Sequence, residues 1–136
     1  MVVNIVVKVK DLMNPNLISV DSSASIMEAI RTMTDHEIGA IDVTQDGVPV
    51  GIITERDCLK KVCGKLDCRT VSVDEIMSTP LITVESDASL YTAVIQMLSH
   101  NIRRLLVTQN GTIIGIFTQK DLLTKINSVF LALAAL

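Results

Sequence analysis

Two stretches of the chain carry the same arrangement of polar groups, Gly51-Ile52-Ile53-Thr54-Glu55-Arg56-Asp57 and Gly115-Ile116-Phe117-Thr118-Gln119-Lys120-Asp121. Each sets a hydroxyl three residues ahead of a carboxylate, with a cation, Arg56 or Lys120, just before the acid. A carboxylate is an acceptor for hydroxyl and N–H donors. A helix begun at the threonine would fix it one turn in. The same spacing is that of a capping box, in which the threonine caps the first turn and the acid reaches back to a free N–H. The two roles are compatible. Further cations, Arg103 and Arg104, stand where the other stretch has Gly39 and Ala40, so any binding of anions would differ between the two.

Other reactive residues point away from catalysis. His36 and His100 fall at equivalent positions, each near the expected C-terminal end of a helix, where an imidazole meets the negative end of the macrodipole. No Ser or Cys nucleophile is spaced to use either histidine. Cys58, Cys63 and Cys68 are odd in number and too widely spaced for a usual four-ligand zinc site. They read as reduced thiols, with Cys58 and Cys63 packing as small apolar side chains on a second helix and its end. No catalytic residue and no metal site is expected.

The positioning elements come from an internal repeat. A shift of 64 positions carries Asp11–Val62 onto Glu75–Ile126 without a gap. Met13 meets Met77, Val43-Thr44-Gln45 meets Val107-Thr108-Gln109, and Gly47 meets Gly111. Each copy opens with a short apolar strand, Leu17–Val20 or Leu81–Val84. A helix follows whose apolar residues, Ile26, Ala29, Ile30 and Met33 in the first copy and Leu90, Ala93, Val94 and Met97 in the second, keep the spacing of one buried face. Two strands come next, Ile38–Thr44 with Val48–Ile53 and Ile102–Thr108 with Thr112–Phe117. Asp46-Gly47 and Asn110-Gly111 favour tight hairpins between them. A second helix opens at Thr54 and at Thr118. The pattern is βαββα twice, an α+β fold: residues 1–63 form the first repeat, 64–74 a linker, and 75–136 the second repeat with an apolar tail. A lone unit of this size leaves one sheet face uncovered, so the copies are expected to pack sheet to sheet with pseudo-twofold symmetry, creating a cleft lined by both.

Composition narrows the partners. Of 136 residues 49% are hydrophobic, which sets disorder aside, yet only 2% are aromatic. With a net charge of −3 and no stacking platform, nucleic acid is not an expected partner. No run approaches the roughly 20 apolar residues of a membrane span, and residues 1–9 lack a charged leader, so the expectation is a cytoplasmic protein with no membrane partner. The tail Val129–Leu136 is apolar enough to need a cover, either a second subunit or its own core.

These features resemble the tandem cystathionine-β-synthase (CBS) domain pair, or Bateman module. Besides the two Gly-apolar-apolar-Thr-x-x-Asp stretches, the resemblance rests on Val9-Lys10-Asp11-Leu12-Met13 and Val73-Asp74-Glu75-Ile76-Met77. It implies that Asp57 and Asp121 bind ribose hydroxyls, with Thr54 and Thr118 assisting. A carboxylate suits the vicinal diol because it can accept both protons. It also implies adenine contacts from the first strands, Ile18 serving the Asp121 site and Ile82 the Asp57 site. Arg103 and Arg104 become the phosphate candidates, with Arg56 and Lys120 adding charge at the helix starts. The expected function is regulatory sensing of AMP, ADP or ATP through a change in conformation or assembly, by a homodimer acting on an effector protein or enzyme. Two other readings stand beside it: an S-adenosylmethionine-binding pair, and a structural interaction module whose clefts stay empty.

Overall fold

The computed structural model describes residues 7–62 and 64–135. The fold is α+β and built from two compact units. Each carries a three-stranded sheet with one parallel and one antiparallel pairing.

The first unit comprises Leu17–Leu81. Its order is β1 (Ser19–Asp21), α2 (Ile26–Asp35), β2 (Ala40–Gln45), β3 (Val48–Thr54) and α3 (Glu55–Asp57), the label α1 being kept for a turn described below. Ser25 caps α2 by accepting the Glu28 N–H at 3.1 Å. Ile26, Ala29 and Met33 then face the core that Val20, Ile41, Val43 and Ile53 offer from the sheet. Asp46 and Gly47 both take positive φ, 53° and 77°, as a two-residue hairpin of this hand demands. The expected second helix is α-helical for only one turn. From Cys58 to Val62 it continues as a wider π-type turn.

The second unit joins residues 7–16 to the chain from Ile82 onward. It contains α1 (Val9–Leu12), β4 (Thr83–Glu85), α4 (Leu90–His100), β5 (Arg104–Gln109), β6 (Thr112–Thr118) and α5 (Gln119–Ala134). Its core holds Val84, Ala93, Met97, Leu105, Val107 and Phe117. The 64-residue correspondence extends to the strand registers. Ala40 opposes Thr54 as Arg104 opposes Thr118, and both hairpins shift register at the same place, Val43/Thr44 and Val107/Thr108.

The packing divides the chain differently from the boundaries 1–63, 64–74 and 75–136. The N-terminal segment closes the second repeat. Val9 is fully buried in that core, its N–H donates to Ala88 O and that of Lys10 to Ser86 O, both at 3.0 Å, and Lys8 and Lys10 flank Asp87. The connecting segment closes the first repeat in the same way. Val73 is fully buried, with its N–H donating to Ala24 O at 2.8 Å, and Ser78 forms a bridge with Ile52. Burial of one valine in each case outweighs sequence proximity. The apolar tail as far as Ala134 lies within α5 and does not cap its own core at Leu131 and Leu133, which are 64% and 58% exposed.

Candidate functional site

In the second repeat β6 delivers Thr118 to the N-cap of α5. Its Oγ accepts the Asp121 N–H at 3.1 Å, and its own N–H donates to Asp121 Oδ2 at 2.9 Å. Gln119 N–H donates to Arg103 O at 2.9 Å, which ties the first turn of α5 to the residue before β5. This connection, with Arg104 opposite Thr118 in the sheet, gathers cations around the helix start. An open concavity of about 300 Å³ results, lined by Arg103, Arg104, Thr118, Gln119, Lys120 and Thr124 with Leu123 as apolar wall. Three side-chain cations meet the N-terminus of a 16-residue helix, whose dipole adds positive potential. An anionic group fits such a place. Asp121 does not line the concavity, although its carboxylate accepts the N–H of Thr118, which does.

The first repeat builds the same capping box and then diverges. Thr54 N–H and Oγ–H both donate to Asp57 Oδ2 at 3.0 Å, and Asp57 N–H donates back to Thr54 Oγ at 3.1 Å. Gly39 and Ala40 stand in place of the arginines, and Arg56 is exposed. Two partners were not anticipated from the sequence. Ser78 Oγ–H reaches both oxygens of Asp57, at 3.0 and 3.2 Å, and Lys61 Nζ lies 3.4 Å from Oδ1. Asp57 is buried at 8% exposure, while Asp121 is half-exposed. The signal for Ser78 was a small one, namely that its repeat equivalent is Asn14.

Comparison with known proteins agrees with this architecture. The CBS domain profile matches residues 9–64 and 73–128. The chain belongs to the CBS domain family. A CBS domain-containing protein, YhcV of Bacillus subtilis, is 34% identical over 84% of this chain and 81% of its own length. Protein MK0525 of Methanopyrus kandleri is 38% identical over 86% of this chain, which spans only 61% of that relative. The solved CBS domain pair of protein MJ0100, in complex with 5′-methylthioadenosine and S-adenosyl-L-methionine, is 28% identical, with a TM-score of 0.81 over 90% of this chain and 98% of that one.

Within this CBS pair the remaining candidates divide by unit. Ile18 and Ile82 are half-buried immediately before β1 and β4, their carbonyls accepting the N–H of Asp42 and of Leu106 at 3.0 and 3.2 Å. Ile18 shares a unit with Asp57, and Ile82 with Asp121. His36 and His100 each turn Nδ1 to a carbonyl of their own helix, Thr32 O and Gln96 O, both at 2.9 Å, as helix-end residues do. Cys58 and Cys68 pack against the first core, and burial pushes the Cys58 thiol up. Cys63 lies outside the described residues. Among the described residues no helix is long and apolar enough to cross a membrane.

One buried group had no counterpart in the sequence reading. Asp42, in the middle of β2, is 5% exposed, and among the described residues its Oδ1 has no hydrogen-bond partner. Burial pushes its carboxyl up to about 6, opposed only by the backbone N–H of Val43. The second repeat has Leu106 at that register.

Proposed function

We propose that this CBS pair is a cytoplasmic regulatory module that binds an adenine nucleotide, AMP, ADP or ATP, at its second repeat. The observation that carries the reading is the concavity in which Arg103, Arg104 and Lys120 surround Thr118 at the start of α5. Phosphate oxygens would take the guanidinium and helix-terminal donors. The Asp121 carboxylate would accept the ribose diol. The adenosyl ligands of MJ0100 support a nucleoside in a fold of this kind.

The same relative favours a second reading, S-adenosylmethionine. Its sulfonium is cationic, and three cations oppose it. Calorimetric titration with AMP, ADP, ATP and S-adenosylmethionine separates the two. The nucleotides are expected to bind more tightly than S-adenosylmethionine, and the reverse order, or no binding by any nucleotide, overturns the proposal.

Ligand would act by favouring one arrangement of the protein or of its assembly, thereby altering contacts with an effector protein or enzyme. The assembly proposed is a homodimer. Leu131 and Leu133 at the end of α5, and Tyr91 and Leu98 on α4, are exposed apolar side chains that a second copy would cover.

A further inference from the structure

The two carboxylates that the repeat makes equivalent differ in what they have left to offer. Asp57 Oδ2 accepts from Thr54 N–H, Thr54 Oγ–H and Ser78 Oγ–H, and Oδ1 receives Ser78 together with the Lys61 ammonium. A carboxylate has about four lone-pair sites, so a ligand diol would find them taken. At Asp121 the Thr118 N–H supplies the sole hydrogen bond to the carboxylate among the described residues. Oδ1 remains open there. The Thr118 hydroxyl accepts from Asp121 N–H, whereas the Thr54 hydroxyl also spends its proton on Asp57.

Two local features cause the difference. Ser78 and Asn14 hold the same backbone position: Ser78 N–H donates to Ile52 O and Asn14 N–H to Ile116 O, both at 2.8 Å. The serine hydroxyl reaches the carboxylate beside it, but Asn14 turns its Oδ1 to accept the Asn16 N–H at 2.9 Å. The helical path differs as well. Lys61, on the π-type turn after Asp57, donates to Ile76 O at 2.9 Å while lying against the carboxylate. Lys125, its equivalent on the regular α5, is exposed.

We infer that the first repeat is closed by its own chain, with Ser78 supplying the hydroxyl and Lys61 the cation that a ligand would otherwise bring. The inference rests on the nucleotide reading given above and assigns the ligand of the resting protein to the second repeat alone. The segment ending in Ser78 is the lock.

The test is calorimetry with ATP and adenosine on the full chain. Wild type is expected to bind one ATP per chain. Ser78→Asn, which copies the second repeat, and Ser78→Ala/Lys61→Met should each add a second site that takes adenosine at least about tenfold more tightly than wild type does, the effect of freeing one hydrogen bond to a charged group. The converse change, Asn14→Ser, should weaken ATP binding by about tenfold, and it involves a solvent-exposed position that folding tolerates. Two equal ATP sites in wild type overturn the lock. So does one ATP site that persists while no Ser78 variant gains a second. Absence of ATP and adenosine binding in wild type and all variants overturns the nucleotide reading and the lock with it, which keeps the two failures distinct.

Discussion

The hydroxyl of Ser78 lies 3.0 Å from Oδ1 and 3.2 Å from Oδ2 of Asp57, so one half-buried residue, held to Ile52 by an isolated bridge, reaches both oxygens of a buried carboxylate. That relationship has a stability consequence independent of ligand. Removing the hydroxyl leaves the carboxylate under-satisfied at 8% exposure. Ser78→Ala should therefore lose about 1–3 kcal/mol in urea denaturation at neutral pH. Asn14→Ala, at the exposed equivalent, should lose about 0.5 kcal/mol or less. Equal losses would contradict the asymmetry.

Asp42 gives a pH-dependent prediction. Its folded carboxyl sits at about 6, above the ordinary 3.8, so the folded state binds the proton more tightly than the unfolded chain. The ionised form is penalised, by about 3 kcal/mol once the pH exceeds 6, and the penalty is relieved as the pH falls from 6 towards 4. Asp42→Leu, which copies Leu106, or the isosteric Asp42→Asn should stabilise the protein at pH 7 by about 1–3 kcal/mol. The gain should vanish near pH 4. A constant difference between variant and wild type across that range would show that this carboxyl does not titrate there.

Much of this organisation is legible in the residues. The 64-residue shift, the hairpin dipeptides Asp46-Gly47 and Asn110-Gly111, and the apolar face of each first helix follow from local chemistry, and the structure forms the hairpins and first helices within a residue or two. The exchange of segments is not legible, because Val9 and Val73 look alike in sequence and nothing local says which core each enters. Nor is the inequality of Asp57 and Asp121. Their flanking motifs match, and the difference lies in Ser78 and Asn14, far along the chain, and in a π-type turn that no spacing announces. Asp42 was hidden by its apolar neighbours Ile41 and Val43, which read as an ordinary strand.

The glycines of the two signature stretches are constrained by the exchanged segments. A Cβ on Gly115 would lie 2.8 Å from Asn14 O, a backbone atom of a residue that exchanges two strand-like hydrogen bonds with Ile116. A Cβ on Gly51 would lie 2.5 Å from Met77 Sδ, the end of a flexible side chain. Gly115→Ala should thus cost about 2–3 kcal/mol and Gly51→Ala about 1 kcal/mol, compared by chemical denaturation. The opposite order would mean that the N-terminal segment yields more easily than Met77.

The exposed leucines at the end of α5 bear on assembly. If a second copy covers them, Leu131→Lys/Leu133→Lys should shift the protein from dimer to monomer in sedimentation without loss of secondary structure by circular dichroism. A wild type that sediments as a monomer at tens of micromolar would contradict the proposed dimer.

The central claim is that anionic ligand binds where Arg103, Arg104 and Lys120 meet the start of α5. ATP titration of wild type against Arg103→Ala/Arg104→Ala, followed by calorimetry, measures it most directly. The account predicts binding in wild type and a loss of about 10- to 100-fold or more in the variant, the effect of removing charge-assisted hydrogen bonds. An unchanged affinity for ATP in the variant would contradict it.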